Sequence, residues 1–122
     1  MGSLRTVQFG KSGEDLACAE LVRRGYAILA RRFRTRFGEI DIVASDGPVL
    51  VFVEVKARSG TRFGVPAEAV TLWKQQRIIA MARMYLVMHR RPPGPIRFDV
   101  VSVLALPGCA PVIDVIRGAF TA

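Results

Sequence analysis

Histidine occurs once in this chain, at His89, and cysteine twice, at Cys18 and Cys109. A structural zinc site takes about four such ligands, so these three scattered residues leave no basis for one. The cysteines form no CxxC pair, and two thiols in 122 residues point to a reducing compartment, not a disulfide scaffold. Lysine is nearly as scarce: Lys11, Lys56 and Lys74 are the three. No run approaches the roughly 18 apolar residues of a membrane span, and the N-terminus lacks the apolar core of a signal peptide. The expectation is a cytoplasmic protein that does not engage a membrane.

What is present is arginine and a large apolar fraction. Hydrophobic residues make up 51% of the chain and the formal net charge is +8. That composition supports one domain with one core and no staples. The excess of positive charge points to an anionic partner, most simply nucleic acid. The competing reading is a merely basic surface, because arginine enrichment can follow from genome composition.

Residues 1–9 read as a flexible basic arm, and 10–122 as a single domain. In "KSGEDLACAELVRRGY" a helix begins, with Ser12 as N-cap, Asp15 as capping-box acid and Gly25 at the C′ position. Leu16, Ala17, Cys18, Leu21 and Val22 supply its apolar face. "YAILARRFR", "GEIDIVA" and "VLVFVEVKAR" read as strands, the last two joined by "SDGP". "SGTRFGVPAEAV" reads as a loop, then a helix runs from about Thr71 to His89. After "RRPPGP" come two more strands, "IRFDVVSVLAL" and "PVIDVI". The order α-β-β-β-α-β-β predicts an α/β domain with a mixed central sheet of about five strands flanked by helices.

The chemistry concentrates in "EIDIVASDGPVLVFVEVKAR". Residues two apart on a strand share a face, so Glu39 pairs with Asp41 and Glu54 with Lys56. If the hairpin closes around "SDGP" with Asp41 opposite Glu54, then Glu39 falls opposite Lys56. Opposed side chains lie about 5 Å apart at Cβ. Two carboxylates that close repel, or share a proton, unless a cation neutralises them. Magnesium or manganese, with its preference for oxygen ligands, is the natural one. Such an ion lowers the pKa of a water and polarises a phosphate. Lys56 then reaches the same site to hold a nucleophile or a phosphate. The pattern describes metal-assisted phosphodiester hydrolysis. The competing reading is a hairpin whose outer face is simply wet.

"Asp41…Glu54-Val55-Lys56" resembles the PD-(D/E)xK nuclease signature. The longer string from "GEDLACAELVRRGYAILARRFRTRFGEIDIVASDGPVLVFVEVKAR" to "RFDVVSV" resembles the uncharacterised bacterial YraN family, over about Gly10 to Val103. That resemblance implies a restriction-endonuclease-like fold, similar to archaeal Holliday junction resolvases. It implies a catalytic and metal cluster of Glu14, Asp41, Glu54 and Lys56, with Glu39, Arg58 and Lys74 as further motif positions. The family usually carries asparagine where this chain has Arg32.

Several residues have two readings. Glu14 can also serve the helix dipole. Arg58 and Arg62 flank a glycine-rich loop, with Gly60 and Gly64, and either grip phosphates or are solvated. Lys74 either touches nucleic acid or lies on a wet helix face. Arg34 and Arg36, in "RRFRTRF", either lead a basic stripe to the site or protect an edge strand. Trp73 and Tyr85 either stack on bases or fill the core. Asp99 is expected to be structural, paired with Arg97, and His89 to be a helix-end residue. The expectation is a metal-dependent nuclease of DNA, structure-selective or nonspecific, using Mg2+ or Mn2+, with a homodimer favoured by analogy to the resolvases. The alternative is a non-catalytic nucleic-acid-binding module; RNA in place of DNA is a weaker third.

Overall fold

Gly25, at φ 95°, ends the first helix in a tight reversal. Its N–H bonds to the Val22 carbonyl at 2.9 Å, and the Tyr26 N–H to the Leu21 carbonyl at 2.9 Å, a Schellman stop. The computed structural model describes residues 9–59 and 70–122. Helix α1 (Phe9–Arg23) is followed by β1 (Ala27–Thr35), β2 (Gly38–Asp46) and β3 (Val49–Ser59). Helix α2 (Leu72–Met88), β4 (Ile96–Ala105) and β5 (Val112–Phe120) complete the order. Helix α1 begins at Phe9, so Ser12 lies inside it and is not its N-cap. Asp15 pairs with Arg31 (2.7 Å) instead of closing a capping box. Val22, expected on the apolar face, is 56% exposed. Residues 1–8, Gly60, Arg62 and Gly64 lie outside the described residues.

The strands form one mixed sheet in chain order, β1 to β5. All neighbours are antiparallel except β3 and β4, which are parallel. A parallel pair needs a long crossover, and α2 lies within this one. Gly47, at φ 59°, and Pro48 join β2 to β3; glycine at the first turn position suits a II′-type hairpin. Thr71 caps α2 by accepting the Lys74 N–H at 3.2 Å, and His89 closes it, its N–H reaching the Tyr85 carbonyl at 3.0 Å.

The sheet has a core on each face. Helix α1 sends Ala17 and Leu21 against Ile42, Val51, Val53 and Val101. Helix α2 sends Ile78, Met81, Ala82 and Tyr85 against Ile40, Val43, Phe52 and Val100. Strict alternation would put Ile40 with Ile42, yet the two face opposite helices. The phase breaks at Asp41, level with Arg32, which lies between the pairs Arg31–Ile42 and Phe33–Ile40. Arg32 sits at φ 55°, in the left-handed region where asparagine is far more at ease than arginine.

Candidate functional site

Strand β3 passes through both cores, so its inward residues should be apolar. Leu50 and Phe52 obey; Glu54, next on the same face, is buried at 6% exposed. The β2–β3 ladder holds the predicted register from Asp46–Val49 to Ile42–Val53 and then stops. Beyond it the Asp41 carboxylate takes over, its Oδ2 accepting the Val55 N–H at 2.7 Å. Asp41 and Glu54 therefore meet where the two strands part. The predicted pair Glu39–Lys56 does not form, because the hairpin opens first. Glu39 belongs to the β1 ladder instead, opposite Arg34 and 3.6 Å from its Nε.

Asp41, Glu54 and Glu39 line a cavity of about 430 Å³ together with Trp73, Lys74 and Arg77 of α2. Gly38 admits the helix: at φ 141°, a Cβ there would lie 3.1 Å from Arg77 Nη2 and 3.3 Å from Met81 Sδ. Burial, then the charge of Glu54, push the Asp41 carboxyl up to about 7, against the Val55 N–H that favours its ionised form. A hydrogen bond with Glu54 and the charge of Glu14 raise it further. The pair thus holds onto a proton near neutrality, as like charges in a poorly solvated site must.

Among the described residues a lysine answers this charge. Lys74 Nζ lies 3.0 Å from Glu54 Oε1. Its expected place on a wet helix face is corrected: the side chain turns into the acidic cavity. Lys56 is half-buried two residues beyond Glu54, level with Ser102 of β4. It makes no hydrogen bond or ion pair among the described residues. Glu14 reaches out from α1 and is clamped by two guanidiniums, Arg31 Nε and Arg32 Nε, each at 3.0 Å. Arg58 lies half-buried on β3 beside Gly13, Leu16 and Ala57.

Arg36 stacks on Phe37, its Cζ 5.0 Å from the ring centroid. Tyr85, offered above as a base stacker, is buried in the core at 4% exposed, edge-on to Phe52 at 5.7 Å. His89 stacks on Tyr85 at 4.0 Å. Among the described residues no group of three or more His, Cys, Asp or Glu stands ready to hold a metal ion. The fit for a divalent cation rests on two adjoining carboxylates, one buried and one half-buried, that are forced to share a proton near neutrality, a proton that a divalent ion would displace. Sequence reasoning missed the Lys74–Glu54 pair and the arginine clamp on Glu14; the spare arginine at position 32 was the one visible signal.

The model of the uncharacterised protein family UPF0102 matches residues 13–103. A UPF0102 protein of Nocardia farcinica is 50% identical over 111 residues, covering 91% of this chain and 87% of that one. A UPF0102 protein of Symbiobacterium thermophilum is 53% identical over 94 residues, covering 77% and 80%. Among solved structures, that of Archaeoglobus fulgidus Hjc, a Holliday junction resolvase from an archaeal hyperthermophile, matches with a TM-score of 0.47 and 21% identity. The match covers 85% of this chain and 74% of that one.

Proposed function

The chain belongs to the uncharacterised protein family UPF0102, and from the site it carries we propose that it is a divalent-metal-dependent nuclease acting on DNA. The observation that carries the reading is the pair of half-buried Asp41 and buried Glu54, set where β2 and β3 part and open to a cavity. A structural acid is normally paired with an opposite charge; here two acids face each other and are forced to share a proton. Asp41 and Glu54 would hold the ion, Mg2+ or Mn2+, with Glu14 as a third carboxylate once its arginines release it. The ion supplies Lewis-acid polarisation of the scissile phosphate and of the attacking water.

The chain's own residues do the rest. Lys56 follows Glu54 by two residues on β3 and is half-buried, so its ammonium holds the water or the phosphate in line. Lys74 balances Glu54 before substrate arrives and turns to a phosphate when the ion replaces it. Arg34, Arg36, Arg58 and Arg62 bind backbone phosphates, which fix position without reading sequence. Recognition by shape follows, and cutting two strands calls for two copies of the chain.

The test is cleavage of labelled duplex, single-stranded, flap, four-way-junction and RNA substrates with magnesium, manganese or chelator, beside Lys56→Ala. Metal-dependent cleavage lost in the variant supports the proposal. Cleavage that persists in chelator, or unchanged in Lys56→Ala, sinks it. The Lys74–Glu54 ion pair favours one other reading, a non-catalytic DNA-binding module in which lysine permanently occupies the place of the ion. Binding of DNA with no cleavage under any of these conditions would select it.

A further inference from the structure

The only tryptophan of the chain stands in the open. Trp73, in the first turn of α2, is 66% exposed, and Phe37, in the turn between β1 and β2, is 47% exposed. Aromatic residues of this size are ordinarily well buried on average. The two line a shallow cavity of about 280 Å³ with Gln76, Arg77 and Ala80. Trp73 and Arg77 also line the cavity that holds Asp41 and Glu54. The aromatic recess and the acidic cavity are thus neighbours with a shared wall.

Each exposed ring carries a guanidinium. Arg77 Cζ lies 4.7 Å from the Trp73 centroid, and Arg36 Cζ lies 5.0 Å from that of Phe37. Among the described residues no carboxylate lines the recess. Flat apolar faces, two fixed positive charges and one amide suit a planar ligand that brings its own anion: a nucleobase with its phosphate. A base inside a duplex has both faces covered by its neighbours, so an unpaired, unstacked base is the form that fits.

We propose that Trp73 and Phe37 form a stacking site for an unpaired base of single-stranded DNA, placed beside the acidic cavity. The consequence for substrate, which rests on the nuclease reading, is that the DNA cleaved has an unpaired nucleotide next to the scissile phosphate. A flap, an overhang or an opened junction arm has this form, and a blunt duplex does not.

The single indole makes the test local. The full chain is titrated in chelator, so nothing is cut, with a blunt two-strand duplex and with the same duplex bearing a short overhang. Its tryptophan emission should be quenched saturably by the overhang substrate and little by the blunt one. Trp73→Ala should bind labelled overhang DNA roughly ten-fold more weakly while blunt-duplex affinity stays within about two-fold. Phe37→Ala should show the same selectivity, and unchanged melting temperatures confirm that both variants fold. Equal weakening on both substrates, or quenching by neither, overturns the stacking site. These readouts need no catalysis: wild-type protein that quenches but never cuts would retain the stacking site and refute only the nuclease.

Discussion

Two buried acids sit one position apart across the parallel pair of strands and are treated in opposite ways. Asp99 of β4 lies beside Val53, and Glu54 lies beside Val100. Asp99 is 0% exposed and accepts four hydrogen bonds: from Tyr26 Oη, from Arg97 Nε and Nη2, and from the Gly118 N–H, all at 2.8–3.1 Å. Arg97 also bonds Asp46, which Arg117 bonds from its far side. Every charge in that network has an opposite. On the other face of the sheet Glu54 and Asp41 share one lysine and one backbone N–H. A buried acid kept for folding is satisfied completely. An acid pair forced to share a proton costs stability, and a bound cation would relieve that cost.

The sharpest way to break this contrast is to remove one acid from each side. Glu54→Gln should lower cleavage by roughly 10²–10³-fold or more, the scale on which electrostatic stabilisers act, while the protein stays folded. Asp99→Ala should leave the Tyr26 hydroxyl and the Gly118 N–H without their acceptor and half-buried Arg97 with Asp46 alone, and destabilise the fold by about 2–4 kcal/mol. Chemical denaturation and cleavage on the same two variants separate the cases. If Glu54→Gln unfolds the protein as Asp99→Ala does, the two acids have the same role and the functional reading of Glu54 is lost.

A subtler break uses pH. Asp41 has an ordinary carboxyl pKa of 3.8 and is held up at about 7 in the fold. Between those values the folded chain keeps a proton that the unfolded chain has released. By linkage, this group's contribution to stability falls as pH rises from about 4 to 7, and changes little outside that window. Glu54 and then Glu14 are the charges that raise it, and Lys74 pairs with Glu54. Asp41→Asn should flatten that part of the profile and stabilise the protein at pH 8, on the order of 1–3 kcal/mol. Thermal melts of both proteins from pH 4 to 8 measure it; a slope unchanged in Asp41→Asn would show that Asp41 does not carry the strain. Adding millimolar Mg2+ at pH 8 should raise the melting temperature of wild type and not of Asp41→Asn, because an ion that binds only the folded chain stabilises it by mass action.

Much of this was legible in the sequence. The order of elements, the mixed sheet of five strands and the long helix ending at His89 follow from periodicity and turn residues. By strand arithmetic, the level placing of Asp41 and Glu54 was one register open to a hairpin on "SDGP", and the ladder keeps that register as far as Ile42–Val53. The arithmetic then failed at Glu39 and Lys56, because it assumes a continuous pleat and the pleat breaks at Arg32 and Asp41. Alternation also misassigns Ile40 for that reason. The Lys74–Glu54 pair was hidden because it joins a strand to a helix across the sheet face. The roles of Tyr85 and Val22 depended on which helix faces which core, and a helical repeat alone does not fix that.

Arg32 offers the finest adjustment of the comparison, because it ties up the third acid near the cavity. Its backbone, at φ 55°, sits in a region that favours asparagine, and its Nε holds Glu14. Arg32→Asn relieves the first and removes the second. The backbone gain is of order 1 kcal/mol, and the loss of a solvent-screened surface pair offsets part of it. Net stability should therefore move by less than about 1 kcal/mol. Glu14, then held by Arg31 alone, swings more freely toward Asp41. Calorimetric titration with Mn2+ should show affinity two- to three-fold tighter than wild type. Weaker binding would assign Glu14 and its arginines to the satisfied, structural class of acids to which Asp99 belongs, and leave Asp41 and Glu54 as the whole of the ion's carboxylate shell.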